Sequence, residues 1–192
     1  MTKKNILVFK HMPSQNPGIF RDFAESQNVN FIEIDLHAGD KIPDLKDFDG
    51  LWVMGGSMNV WEEGKYPWLI EEKEAIRYAV EDLKMPFLGI CLGHQLLAVA
   101  MGGKAIDTGR YEVGLFEIKP TKEGFNHPLL QNLKDSEKWV NAHLVEVIEA
   151  PKNAIILATS EHCQNHVMQL GENAYSCQFH PEVCSHTLDG WM

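Results

Sequence analysis

The sequence predicts a single α/β domain built on a parallel sheet, and three observations lead to that prediction. Short apolar runs typical of buried strands alternate with helix-compatible segments through residues 1–101. After Gly102-Gly103 the pattern changes to short strands separated by turn signals, so the second half is expected to be rich in β-structure. The sequence contains no internal repeat, low-complexity tract or Pro/Ser-rich linker. We therefore expect residues 1–192 to form one domain.

The individual elements follow from the same patterns. The clearest helix begins at Pro67, a favourable first-turn residue, and runs through Trp68 to Lys84 with apolar side chains along one side. A second helix is predicted from Leu92 to Met101. The predicted strands are Ile6–Phe9, Val29–Ile34, Leu51–Met54 and Phe87–Ile90 in the first half, followed by Leu115–Lys119, Lys138–Asn141, Leu144–Ile148, Ile155–Thr159, His166–Leu170 and Ala174–Phe179.

Composition and charge exclude several classes of partner. The chain is 44% hydrophobic and 23% charged, as globular proteins are, and its net charge of −10 argues against nucleic-acid binding. The first apolar run, Ile6–Phe9, is too short for a secretory signal, and the longest, Pro86 to Met101, is interrupted by polar residues. No membrane span is therefore expected. The four cysteines lack the spacing of a disulfide framework, so we expect a cytoplasmic protein.

The segment Gly89-Ile90-Cys91-Leu92-Gly93 predicts a reactive thiol. It joins a predicted strand to a predicted helix, and a sharp turn at a Gly-x-nucleophile-x-Gly sequence exposes the central side chain. At the start of a helix, the unpaired N–H groups and the positive end of the helix dipole favour the nucleophilic thiolate form of Cys91. A buried structural cysteine is the alternative interpretation, because the pentapeptide alone is a weak signal.

A base and a carboxylate occur together in Gln178-Phe179-His180-Pro181-Glu182, at the end of the last predicted strand. If this segment is extended, residues two apart project to the same face, so His180 and Glu182 would point in the same direction. The combination favours a catalytic interpretation of Cys91, since a cysteine nucleophile needs a base and an orienting group.

A zinc site is the competing interpretation of the cysteines and histidines. Neither of the two possible groupings has the paired Cys-x-x-Cys spacing of structural zinc sites, and either would leave Cys91 without a role. The sequence therefore favours a site without metal. The groupings are Cys177, His180, Cys184 and His186, and His162, Cys163 and His166.

Taken together, five segments resemble the class I, triad-type glutamine amidotransferase family, and in particular stand-alone proteins similar to the glutaminase domain of GMP synthase. The segments occur in the order that the family uses and span about residues 50 to 183. The resemblance implies a flavodoxin-like α/β fold whose mixed, largely parallel central sheet is flanked by helices. The segments are Met54-Gly55-Gly56-Ser57, Gly89 to Gln95, Gly102-Gly103, Tyr111-Glu112-Val113-Gly114 and Gln178 to Glu182.

The resemblance also implies a catalytic triad. Cys91 would attack the side-chain carboxamide of glutamine and form a γ-glutamyl thioester, releasing ammonia. His180 would relay the protons, and Glu182 would fix the tautomer of the imidazole and stabilise its cation. The backbone N–H groups of Gly56 and Leu92 would form the oxyanion hole.

Substrate recognition is implied for a further set of residues. The family pattern assigns the glutamine pocket to Gly55, to Gln95 and to the segment Gln164-Asn165-His166. No cofactor is implied.

Two functions are compatible with these motifs. One is a glutaminase that supplies ammonia to a separate synthetase subunit, because the chain has no Gly-rich phosphate loop of its own. The other is a free-standing γ-glutamyl hydrolase or peptidase with the same triad, which is favoured by Ser57 at a position where synthase-type domains commonly have proline. A non-catalytic binding protein is disfavoured because all three triad residues are present.

Overall fold

A computed structural model describes residues 2–133, 136–185 and 187. Within these residues there are nine strands and four α-helices. The strands are β1 (Lys4–Lys10), β2 (Val29–Asp35), β3 (Gly50–Val53), β4 (Phe87–Ile90), β5 (Lys104–Pro120), β6 (Glu137–Glu149), β7 (Ala154–Thr159), β8 (Val167–Leu170) and β9 (Ala174–Cys177). The helices are α1 (Phe20–Ser26), α2 (Trp68–Arg77), α3 (Leu92–Ala100) and α4 (Lys122–Phe125).

The strands of the described residues form one mixed sheet in the order β2-β1-β3-β4-β9-β8-β7-β5-β6. The pairings from β2 to β9 are parallel, and those from β9 to β6 are antiparallel. The α/β class with a mixed sheet flanked by helices is thereby confirmed. The strands of the parallel half alternate with α1, α2 and α3, of which α2 and α3 were predicted, and this half carries the Cys91 turn.

The antiparallel half differs from the prediction in the length of its strands. Two strands were predicted at Lys138–Asn141 and Leu144–Ile148, but both belong to β6. Their link, Ala142-His143, pairs with Val113 and Glu112 of β5 instead of turning. The predicted strand Leu115–Lys119 likewise covers only the end of β5, because the polar first part of that strand contains a register shift that hides its alternation.

The helix predicted from Pro67 to Lys84 has two parts. Pro67 is the N-cap, and the α-helix ends at Arg77. The chain then continues in π-helical turns over Tyr78–Asp82 before the bend that precedes β4. The short helix α1 was not predicted.

Two buried apolar clusters lie on the two faces of the sheet. Leu7 and Phe9 of β1 belong to one cluster, whereas Val8 belongs to the other, as strand alternation requires. Each fully buried side chain of this kind contributes about 1.5–3 kcal/mol. None of the helices in the described part of the chain combines the length and the apolar character needed to cross a membrane.

Candidate active site

Cys91 occupies a sharp turn between β4 and α3. Its backbone has φ 52° and ψ −103°, a left-handed conformation that is strained for a residue with a side chain. The flanking glycines are required by close packing, since a Cβ at Gly89 would lie 2.6 Å from the Gly93 carbonyl oxygen. A Cβ at Gly93 would lie 2.1 Å from the carbonyl oxygen of Val53 in β3. The predicted nucleophile turn is thus present in the structure.

His180 and Glu182 follow β9, which lies beside β4 in the sheet. His180 Nδ1 is 2.7 Å from Glu182 Oε1, and both side chains are buried. The predicted pairing holds, but the reason given for it was wrong. β9 ends at Cys177, so the two residues meet in the following turn and not along an extended strand. The N–H of Ile19 donates to the Glu182 carbonyl at 3.0 Å and holds this turn in place.

A second contact fixes the Cys91 turn against β9. His94 of α3 forms a 2.9 Å hydrogen bond through Nδ1 with the hydroxyl of Ser176 in β9. Burial, followed by the nearby His166, lowers the pKa of His94 to about 3, so its ring is neutral at neutral pH. This neutral contact joins α3, which follows Cys91, to β9, the strand that precedes His180.

The charges around His180 favour its cation. Burial opposes protonation, but the Cys91 sulfur, which is hydrogen-bonded to the ring, and the Glu182 carboxylate together raise the pKa of His180 to about 10. The ring therefore lies between two groups that stabilise an imidazolium. A protonated ring in this position can donate a proton to a leaving group.

Backbone N–H groups and a cavity complete the site. Leu92 is the first residue of α3, so its N–H has no intrahelical partner. Gly56, which follows β3, lines a cavity of about 350 Å³ together with Cys91 and Gln95. A Cβ on Gly55 would lie 3.2 Å from His180 Cε1, which places that glycine against the base.

Gln178 is a site residue to which the sequence analysis gave no role, although it lies in the segment that supplied His180 and Glu182. Its Nε2 lies 3.7 Å from the Cys91 sulfur. Its Oε1 accepts a hydrogen bond from Gln95 Nε2 at 3.3 Å, and Gln95 also donates to the Val145 carbonyl at 3.0 Å. Both glutamine side chains are thus held by defined partners, and Gln95 also lines the cavity.

The other residues of the predicted substrate pocket have side chains directed elsewhere. Gln164 donates to the Ser160 carbonyl at 3.5 Å, and Asn165 donates to the Val147 carbonyl at 2.9 Å. His166 is buried between the rings of His143 and Phe179 and is outside the cavity lining. A role for the backbone of this segment stays a prediction.

Glu112, His143 and His166 form a buried group that could offer ligands to a metal ion. One ligand atom from each lies within 4.8 Å of the others. Ligands of one zinc ion, bound at about 2.0–2.2 Å, lie about 3–4 Å apart, so an ion would have to draw these side chains together. The two cysteine-containing groupings drawn from the sequence do not form such a group among the described residues, and His186 lies outside those residues.

A larger groove lies away from the candidate site. Its volume is about 740 Å³, and its walls are mainly apolar, including Phe20, Trp52 and Trp139. None of the residues Cys91, His180 and Glu182 lines it. The smaller cavity is the one that Cys91 lines.

Comparison with known proteins agrees with this geometry. Residues 14–191 match the sequence profile of the family described as "Glutamine amidotransferase class-I". The chain is 35% identical over 153 residues to the A subunit of the glutamine-hydrolyzing GMP synthase of Sulfolobus acidocaldarius, covering 78% of this chain and 74% of that protein. It is 32% identical over 173 residues to the protein of the same name in Saccharolobus solfataricus, covering 85% and 84%.

Structural comparison gives the same result. The crystal structure of a glutamine amidotransferase from Thermotoga maritima superposes with a TM-score of 0.90 at 27% identity. The match covers 100% of this chain and 81% of that one.

Proposed function

The chain belongs to the class I glutamine amidotransferase family, and from that premise we propose that it hydrolyses the side-chain amide of glutamine through a Cys91, His180 and Glu182 triad. The observation that carries the proposal is the contact of His180 with both other members. Its ring is hydrogen-bonded to the Cys91 sulfur and lies 2.7 Å from the Glu182 carboxylate. A nucleophile, a base and an orienting group in this arrangement are the parts that acyl transfer needs.

The first step is attack on the amide. The Cys91 thiolate adds to the carboxamide carbon of glutamine, and the carbonyl electrons move onto oxygen. The N–H groups of Gly56 and Leu92 are proposed to hold this oxyanion, because the first lines the cavity and the second is free at the start of α3. Removing one such donor typically lowers kcat by about 100- to 1000-fold.

The second and third steps use His180 as an acid and then as a base. As the C–N bond breaks, His180 gives its proton to the departing nitrogen, which leaves as ammonia. The γ-glutamyl thioester is then attacked by water, which His180 deprotonates, and glutamate leaves as the Cys91 thiolate is restored. Glu182 stabilises the imidazolium at both stages. Gln95 is proposed to contact the substrate, since it lines the cavity beside Cys91.

The ammonia is proposed to serve a separate synthetase subunit. Two of the relatives above are named as the A subunit of a glutamine-hydrolyzing GMP synthase, a name that implies a further subunit in those proteins. A reducing, cytoplasmic location is proposed because the site depends on a reduced thiol. Cys91, Cys163, Cys177 and Cys184 are all free.

The test is release of ammonia and glutamate from glutamine by the purified protein. Wild type should release both in equal amounts, and Cys91→Ala should release neither. Cys184→Ala is the matched control, because this half-buried cysteine contacts Thr187 and lies outside the cavity lining. Its turnover should match that of wild type.

Two results would contradict the proposal. Turnover by Cys91→Ala would remove the assigned nucleophile. Silence of wild type toward glutamine, together with turnover of other γ-glutamyl amides or peptides, would identify a γ-glutamyl hydrolase instead.

A further inference from the structure

A second buried histidine and glutamate pair lies behind the glycine loop of the site. His11 follows β1, Glu72 belongs to α2, and both side chains are almost fully buried. His11 Nε2 is 2.8 Å from Glu72 Oε1, and His11 Nδ1 is 2.9 Å from the carbonyl oxygen of Gly55. The ring also stacks on Trp68 with 5.4 Å between centroids. The position of the imidazole is therefore fixed from three sides.

The partners of the ring assign its protons. A carbonyl oxygen can only accept a hydrogen bond, so Nδ1 must donate to Gly55. A carboxylate also accepts, so Nε2 donates to Glu72. Burial opposes a charged ring, but the Glu72 carboxylate and these hydrogen bonds raise the pKa of His11. The surroundings of His11 thus favour its protonated form, in which both nitrogens donate.

The bond to Gly55 acts on the proposed oxyanion hole through a single peptide unit. The Gly55 carbonyl and the Gly56 N–H belong to the same planar trans peptide, so they point in opposite directions. Two consecutive glycines leave the torsions around this peptide unusually free. Anchoring the carbonyl to His11 therefore sets the direction of the Gly56 N–H, and a hydrogen bond accepted by the carbonyl also polarises the peptide and strengthens that N–H as a donor.

Side chains in place of Gly55 and Gly56 would come close to neighbouring atoms. A Cβ at Gly56 would lie 2.7 Å from Leu92 Cδ2 and 2.9 Å from His11 Cβ. A Cβ at Gly55 would lie 2.6 Å from Gln15 Oε1. A side chain at either position would have to displace its neighbours, and with glycine at both the conformation is set by contacts from outside the loop. His11 is placed to set the conformation of this peptide through its hydrogen bond with the Gly55 carbonyl oxygen.

We infer that His11, held by Glu72, is a positioning residue that orients the Gly55-Gly56 peptide so that the Gly56 N–H is directed at the oxyanion. The inference rests on the proposed amide hydrolysis and assigns a role outside the triad. His11 itself is separated from the substrate by the peptide that it orients.

Two substitutions separate the two hydrogen bonds of the ring. In His11→Asn the side-chain NH₂ replaces Nδ1, so the bond to Gly55 remains while Glu72 loses its partner. In His11→Gln the NH₂ replaces Nε2, so the bond to Glu72 remains while Gly55 loses its donor. We expect His11→Gln to lower kcat for glutamine by about 10- to 100-fold, a part of the loss caused by removing an oxyanion donor, with KM changed less than about twofold. His11→Asn should retain kcat within about fivefold of wild type, although it should be the less stable protein because it leaves a buried carboxylate unpaired.

A purely structural role predicts the opposite order, with activity following stability. The inference is therefore overturned if His11→Asn loses more kcat than His11→Gln, or if neither loses any. If His11→Asn does not fold, the double variant His11→Asn with Glu72→Gln removes the unpaired charge and replaces it in the comparison. His37→Asn, at an exposed histidine, is the control and should behave as wild type.

Two further measurements distinguish failure of this inference from failure of the proposed function. Alkylation of Cys91 by iodoacetamide needs no oxyanion hole, so its rate should be the same in wild type and His11→Gln. If wild type alkylates but does not hydrolyse glutamine, the proposed function is wrong and the inference is judged by the amide ¹⁵N resonance of Gly56. That resonance should move in His11→Gln and stay near its wild-type position in His11→Asn. An unmoved resonance in His11→Gln would overturn the inference.

Discussion

Replacing Gly93 by alanine tests the packing that forms the Cys91 turn. The added methyl group would lie 2.8 Å from the carbonyl carbon of Val53 and 2.1 Å from its carbonyl oxygen, and the second distance is more than an ångström inside van der Waals contact. These are main-chain atoms at the end of β3, so they cannot rotate away as a side-chain tip could. The conflict can be relieved only by moving α3 away from the sheet.

The expected change in the free energy of unfolding of Gly93→Ala is the difference between an unfavourable and a favourable contribution. Forcing extra atoms into a packed interior costs about 1–3 kcal/mol and occasionally more, and contact with main-chain atoms places this site at the upper end. Alanine recovers at most about 1 kcal/mol, because it favours a helix over glycine and restricts the unfolded chain. We expect Gly93→Ala to lower the free energy of unfolding by about 2 kcal/mol or more. For a chain of this size that corresponds to a fall in Tm of about 5 °C or more.

The assay is urea unfolding followed by tryptophan fluorescence, with Gly64→Ala as the matched control. A Cβ at Gly64 meets no atom within 4 Å, so this variant should stay within about 0.5 kcal/mol of wild type. A Gly93→Ala protein as stable as the control would refute the claim that close packing of α3 on β3 requires glycine at this position.

Two further predictions concern the triad and the buried histidines. Glu182→Gln should lower kcat for glutamine by about a thousandfold or more with little change in KM, because the lost carboxylate charge matters most when His180 is a cation. The measurement is ammonia release, and a change confined to KM would contradict this prediction. Acid should destabilise the protein between about pH 6.5 and pH 4. Burial, and then the charge of His180, lowers the pKa of His143 to about 4 in the folded protein. In the unfolded chain the same histidine takes up its proton near pH 6.5, so protonation in this range favours unfolding. His143→Gln should therefore show a smaller loss of urea midpoint from pH 7 to pH 5, and an equal loss would exclude His143 as the source. Burial raises the pKa of the neighbouring Glu112, which contributes in the opposite direction.

The first half of the fold could be predicted because its strands are short, continuous apolar runs. The predicted strand Phe87–Ile90 coincides with β4, for example, because a strand buried on both faces needs no polar alternation. β5 and β6 were harder because their middles contain buried polar side chains. Asn141 and His143 resemble turn residues in sequence, yet they pair across the ladder with Gly114 and Glu112. The pairing of Asn141 and His143 with β5 can be recognised only when the register between β5 and β6 is known.

Part of the candidate site could be located from the sequence, because the residues of that part lie close together along the chain. The Cys91 turn and the His180 to Glu182 segment each carry their own local signal. The His11 and Glu72 pair gave none, because the two residues are far apart in the chain and each is ordinary on its own. Their contact depends on how α2 packs behind the loop after β3, which local patterns do not encode.

The position of β9 has a consequence for how the protein becomes active during synthesis. β9 is the last strand of the described residues, yet it lies inside the sheet, between β4 of the parallel half and β8 of the antiparallel half. Until residues 174–177 leave the ribosome, the two halves have no strand to join them, and the edges of β4 and β8 stay unpaired. The turn with His180 and Glu182 follows directly, so the same insertion that completes the sheet brings the His180 ring to the Cys91 sulfur. Cys91 and His180 therefore come together only when β9 takes its place in the sheet.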